Sequence, residues 1–187
     1  MPAYHIFGYG SLVNGATHRY GAAHLATLSG WRRAWRYTNV RDVAFLNVAP
    51  APGSTVKGVI VAVPRHDPEL DEREYTYLRE TVSDVVRHAL PAPVEIDIFT
   101  IPDGRHQSTS NNHMILLSYL DVVVQGFAHQ YGEAGVQEFF ETTDGWDVPV
   151  IDDRATPRYP RHQQVARELR SLTDQWLRTL SAVVKRP

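Results

Sequence analysis

Strand-type runs dominate the chain up to about residue 101, and helical patterns dominate the remainder. A chain divided in this way is restricted to an α+β architecture, because strands and helices that do not alternate cannot build a parallel βαβ sheet. Tyr4–Phe7 reads as a short strand breaking into a glycine loop, and Asn14–Tyr20 as a helical turn. Ala26–Arg36 and Val43–Val48 carry aromatic and β-branched residues. Pro50, Pro52 and Gly53 then predict a turn before the valine-rich strand Val56–Val63, whose interior Gly58 predicts a bulge or a close backbone approach. Asp67-Pro68 is an N-cap followed by proline at the first helical position, and predicts a helix over 68–78. Strands are expected at 77–86 and 94–101.

Met114–Phe127 is apolar enough for a buried helix, and Glu133–Thr142 predicts another. Val165, Leu169, Leu172, Trp176, Leu180 and Val183 recur at spacings of three and four. They predict a long amphipathic C-terminal helix that packs on the domain or on a partner chain, as in a homodimer. The 187 residues fit one domain, with a helical C-terminal extension from about 128 to 187. No repeat or linker interrupts it.

Composition removes whole classes of chemistry. There are no cysteines, so disulfides, thiolate nucleophiles and iron–sulfur clusters are excluded. A formal net charge of −2 gives no global basic field for nucleic acid or an anionic membrane. The cluster Arg32, Arg33, Arg36 and Arg41, interleaved with Trp31, Trp35 and Tyr37, is read as a strand with one basic face. No apolar stretch reaches a membrane span, and Met1–Ile6 has no signal-peptide character, so a cytoplasmic setting is expected. Nine histidines are scattered without metal-binding spacing, so no metal is expected. The acidic stretches Asp144–Asp147 and Asp152-Asp153 lack the spacing of a calcium loop and read as capping aspartates.

Two segments can carry chemistry. The loop Gly8-Tyr9-Gly10-Ser11-Leu12 offers the N–H groups of Gly10, Ser11 and Leu12 to a carboxylate or an oxyanion. It lacks the glycines and lysine of a nucleotide loop and the flanking glycines of a nucleophile elbow. A purely structural glycine turn is the alternative. In a helix over 68–78, Leu70, Glu74 and Tyr77 share one face and Glu72 points away. Glu74 on an apolar face would have a raised pKa suited to general acid/base work; a solvated acidic helix start is the alternative. Arg41 and Asn47 are weaker candidates for a substrate carboxylate, against a salt bridge or turn role.

Together these segments resemble the γ-glutamylcyclotransferase family, with its AIG2-like and ChaC-like branches. Phe7-Gly8-Tyr9-Gly10-Ser11-Leu12 is similar to the family's Tyr-Gly-Ser loop, and Leu70-Asp71-Glu72-Arg73-Glu74 to its Leu-Asp-x-x-Glu segment. Ser118-Tyr119-Leu120, with Gly126 seven positions beyond the tyrosine, resembles the segment of the pocket tyrosine. The resemblance implies a mixed domain with a small, partly closed β-barrel and flanking helices. It implies Glu74 as the catalytic residue, with Tyr9, Gly10, Ser11, Leu12 and Tyr119 around the substrate; Tyr77 is added from helical facing. The implied reaction releases 5-oxoproline from a small γ-glutamyl substrate without a cofactor. The alternatives are a non-catalytic metabolite-binding protein of the same fold, or a hydrolase or acyltransferase acting on γ-glutamyl amines. The stretch Thr142–Arg161 resembles part of some bacterial members and has no assigned role.

Overall fold

The computed structural model describes residues 4–105 and 113–186. In chain order the strands of the first half are β1 (Tyr4–Gly8), β2 (His24–Tyr37) and β3 (Ala44–Ala62). Helix α1 (Pro68–Arg73) is next, then β4 (Leu78–Thr81), β5 (Val86–His88) and β6 (Glu95–Thr100). The second half holds β7 (Ile115–Leu116), α2 (Leu117–Glu141), β8 (Thr143–Asp144), β9 (Val150–Ile151), α3 (Arg167–Thr179) and β10 (Val184–Lys185). Single 3₁₀ turns occur at Ser11–Val13, Gly15–Thr17 and Ser83–Val85. The architecture is α+β, as the division of strand and helix signals predicts.

The main sheet runs β4-β6-β1-β3-β2-β5, with β8 added beside β2. Its curl comes from connectivity. The edge strands β4 and β5 are joined only through Val82–Val85, a link that spans at most about 18 Å when extended. Six strands laid flat would place those edges about 24 Å apart, so the sheet bends into a half-barrel. The expected strand over 77–86 is therefore two strands on opposite edges. Its break is fixed by Ser83, whose Oγ accepts the Ile96 N–H at 2.9 Å.

The break expected at Pro50–Gly53 does not end the strand. Trp31 pairs with Pro50 and Ser29 with Thr55, so residues 51–54 of β3 bulge out opposite Gly30 alone. Gly30 and Gly53 have φ of +81° and +84°, a region other residues avoid. The turn chemistry is real, but the long ladder with β2 resumes on both sides of it. Gly58 marks a close approach rather than a bulge: a Cβ there would lie 2.3 Å from the Gly8 carbonyl oxygen.

The core lies between the sheet and α2. Ile6, Val59, Ile60, Val61, Ile96 and Ile98 are fully buried, as are Leu120, Val123, Val124 and Phe127 of the helix. Helix α2 begins at Leu117 because Ile115–Leu116 is taken by β7, in a small parallel sheet ordered β10-β9-β7. The two expected helices meet at Gly132, whose φ of +67° and ψ of −167° kink the segment.

Two expectations need correction. Helix α3 has 13 residues, close to the average for globular proteins rather than long. Val165 and Val183 lie outside it, and Val183 is exposed. Its buried residues are Thr173 and Leu177, and Trp176 stacks on Phe140 of α2 at 5.5 Å. The residues 128–187 are also less helical than expected, because three short strands and an extended loop occupy much of them.

The arginine-rich β2 has no single basic face either. Arg33 is completely buried between the Phe127 and Phe139 rings. It donates to the Tyr9 carbonyl at 3.1 Å, to Thr142 Oγ1 at 3.0 Å, and to the Lys57 carbonyl. Arg32 and Arg36 are neutralised by Asp144 and Asp103. Alternation along the strand sends Arg33 inward and its neighbours outward.

Candidate active site

The end of β1 opens into a cavity of 690 Å³, within the range of small-molecule sites. The glycine loop forms one wall, the end of α1 another, and Tyr119 of α2 a third. The fourth is the segment Arg158–Arg161. Gly10 is required there: a Cβ would lie 2.6 Å from the Tyr119 hydroxyl. Gly126 permits the same docking two turns further along α2, since its Cβ would meet the Asn14 backbone nitrogen at 2.7 Å. Asn14 in turn donates to the Val122 carbonyl at 2.9 Å, which locks the loop's exit onto α2.

Glu74 lies in this cavity, but not for the reason helical facing supplies. Helix α1 stops at Arg73, and Glu74 is its C-cap, with its N–H bonded to the Leu70 carbonyl. Tyr77 lies beyond the helix, and its N–H donates to the Glu74 carbonyl at 2.8 Å, closing a turn. The Glu74 side chain is 14% exposed, whereas Glu72 is exposed at the rim. Burial raises the Glu74 pKa above the usual carboxylate range, and the Arg73 and Arg161 charges act against that rise.

Arg73 is the residue that sequence reasoning missed. Its guanidinium is 7% exposed and lies 3.0 Å from Glu74 Oε1 through Nε. It also donates to Ser11 Oγ at 2.8 Å and to the Thr17 carbonyl at 3.2 Å. One planar cation thus ties the carboxylate to the glycine loop. Its position beside Glu74 gives no warning of this, because the contact with Ser11 spans 62 residues.

The three tyrosines differ in what they can still do. Tyr9 donates its hydroxyl proton to the Phe99 carbonyl at 2.8 Å, and Tyr77 donates to the Leu46 carbonyl at 2.9 Å. Both are committed to the scaffold. The Tyr119 hydroxyl lies beside the Ser11 backbone, and its proton has no acceptor among the described residues. Burial pushes the Tyr119 pKa up, so that proton is retained. Leu12 is buried and shapes the loop under Gly8.

Of the weaker candidates, Arg41 reaches the cavity wall and Asn47 does not. Asn47 is buried and pairs with both backbone groups of Ile101, a structural role. The Thr142–Arg161 stretch acquires a function through Asp153. This buried carboxylate accepts from the Ser118 N–H at 2.8 Å, the Ser118 hydroxyl at 2.6 Å and the Arg158 N–H at 2.9 Å. It caps α2 and fastens the Arg158–Arg161 segment over the cavity. Arg154 pairs with Asp121 and Asp174, and Trp146 donates to the Phe140 carbonyl within the core.

Comparison with solved structures places this arrangement among known folds. A γ-glutamyl cyclotransferase superposes with a TM-score of 0.55 over 92% of this chain and 99% of its own, at 13% identity. The chain has the γ-glutamylcyclotransferase fold. A human protein described as uncharacterised matches with a TM-score of 0.54 over 93% and 99% of the two chains, at 14% identity. YkqA from Bacillus subtilis matches with a TM-score of 0.50 over 76% of this chain and 56% of its own, at 20% identity. No protein-family model and no curated protein sequence matches the chain. Among the described residues, no helix is long and apolar enough to cross a membrane.

Proposed function

We propose that this protein cleaves a γ-glutamyl amide by intramolecular attack of the substrate's own α-amine, releasing 5-oxoproline and an amine or amino acid. One arrangement carries the reading: a desolvated carboxylate, Glu74, joined by a single guanidinium to the glycine loop of the same cavity. The cyclotransferase named among the fold neighbours is consistent with it.

The carboxylate takes a proton from the substrate α-ammonium, freeing the amine to attack the γ-carbonyl carbon. Ring closure needs only the correct folded conformer, which the cavity walls impose. Charge then develops on the carbonyl oxygen, and the uncommitted proton of Tyr119 and the loop N–H groups are the donors available to it. As the carbon–nitrogen bond breaks, the protonated Glu74 returns its proton to the departing nitrogen, and the ring nitrogen releases its remaining extra proton to solvent. No covalent enzyme intermediate is needed.

The test is a panel of γ-glutamyl compounds, glutathione included, with products identified. Release of 5-oxoproline supports cyclisation, free glutamate indicates a hydrolase, and binding without turnover indicates a metabolite-binding protein.

Arg73 supplies a second prediction, in the pH profile. The first step needs ionised Glu74, so the rate falls as pH drops through its pKa. Arg73 lowers that pKa, so Arg73→Met raises it further and moves the acid limb of kcat/KM to higher pH. Loss of positioning is expected to reduce kcat/KM by about 10- to 100-fold. An unmoved or down-shifted limb in a folded variant rejects the electrostatic coupling.

A further inference from the structure

Arg158 and Arg161 flank Tyr159 and Pro160 on the cavity wall, and neither forms an ion pair or side-chain hydrogen bond with a described residue. This differs from Arg32, Arg36, Arg65, Arg79 and Arg154, which all meet carboxylates. No acid at the same cavity forms an ion pair with them, although the Arg161 charge is felt at Glu74. Asp42 is fully exposed with only His113 near it, Glu72 is exposed, and Glu74 is bridged by Arg73. Arg41 adds a third cation, its guanidinium over the Tyr75 ring.

The backbone that presents this pair is built rather than incidental. The Arg158 N–H is held by Asp153, and the Tyr159 N–H by the Ser118 hydroxyl at 3.3 Å, both partners being buried. The His162 N–H closes the turn on the Tyr159 carbonyl at 3.1 Å. Tyr159 packs edge-on against Tyr119 with ring centroids 5.0 Å apart. Two arginines therefore line a small-molecule cavity from a fixed turn, with their donor forks unused by described residues. That geometry suits a carboxylate, which accepts two parallel N–H bonds from an arginine.

We propose that the Arg158–Arg161 turn is an anion subsite holding a carboxylate on the departing half of the substrate, so that γ-glutamyl amino acids or peptides are favoured over γ-glutamyl amines. The inference rests on the γ-glutamyl reading of the cavity. The α-amine must approach Glu74, which is 14% exposed, so the glutamyl half takes the closed side. The departing half extends toward the more open side, where Arg158 is exposed and Arg161 half-buried.

The experiment compares γ-glutamylalanine with γ-glutamylalaninamide, a pair that differs only in the terminal carboxylate. Turnover is measured on the unaltered protein, and binding by calorimetry on Glu74→Gln protein, where no chemistry intervenes. The acid is expected to bind about tenfold more tightly or better, the worth of a charged hydrogen-bonded pair. Adding Arg158→Gln and Arg161→Gln together should bring the acid-to-amide ratio close to one. A ratio already near one, or one that survives the double replacement, overturns the subsite. Equal 5-oxoproline release from both compounds would leave cyclisation standing and remove the subsite. A strong acid preference in binding with no 5-oxoproline would do the reverse.

Discussion

Glu74→Gln is expected to lower the rate of 5-oxoproline release by about 10²- to 10⁴-fold while the protein stays folded. At 1.36 kcal/mol per tenfold, that corresponds to about 2.7–5.4 kcal/mol of lost transition-state stabilisation. The size reflects one group serving twice, as base toward the α-ammonium and as acid toward the departing nitrogen. The amide has the same shape and its oxygen can still lie beside Arg73 Nε, while the guanidinium keeps Ser11 Oγ and the Thr17 carbonyl as partners. Binding should therefore change less than turnover. Glu72→Gln, at the exposed rim, is the comparison and should alter the rate by only a few-fold. Single-turnover release by the two variants decides the matter: Glu74→Gln within tenfold of the unaltered protein removes the assigned role.

The two halves of this site are not equally legible in the sequence. The glycine loop can be read because glycine itself is the signal: Gly8 stands where a Cβ would strike nearby Leu12, and Gly10 where one would strike the distant Tyr119 hydroxyl. Helical facing separates Glu74 from Glu72, and Glu74 does lie in the cavity, yet facing presumes a helix to residue 78. The helix ends at Arg73, and the C-cap geometry delivers the carboxylate to the cavity. The helix reading does not single out Arg73, because its contact with Ser11 spans 62 residues and has no local pattern. Arg158 and Arg161 leave no readable signal. They reach the cavity through Asp153 and Ser118, contacts that span 35 and 41 residues and have no local pattern.

At the level of the fold, periodicity recovers what depends on neighbours and fails where distant pairing overrides it. Residues 114–127 are mostly apolar, and the helix over 117–127 is buried along most of that length. The Pro50–Gly53 cluster is a true turn chemically, yet β2 continues alongside and carries the ladder across it. Arg33 is the sharpest case. A charged residue in an arginine-rich strand reads as surface, but three acceptors and two aromatic rings await it inside.

Gly58→Ala is expected to be the most damaging change to stability, and it tests how the scaffold supports the loop. The added Cβ would stand 2.3 Å from the Gly8 carbonyl oxygen and 2.7 Å from Phe7 Cζ. The Phe7 ring is 1% exposed and has little room to retreat. The carbonyl has less, because β1 is hydrogen-bonded to β3 on one side and β6 on the other. Overpacking against backbone costs about 3 kcal/mol or more. For a chain of this length that lowers Tm by about 6–12 °C. Gly15→Ala is the comparison, since a Cβ there meets nothing within 4 Å; it should cost no more than about 0.5 kcal/mol. Gly8 immediately precedes Tyr9 and Gly10, so any shift that relieves the clash also displaces the cavity wall. The folded fraction of Gly58→Ala should therefore show reduced kcat/KM in addition to a lower Tm. Unaltered kcat/KM in protein with a lowered Tm would mean that β3, rather than β1, gives way, and that the loop is held from the α2 side through Asn14 and Tyr119.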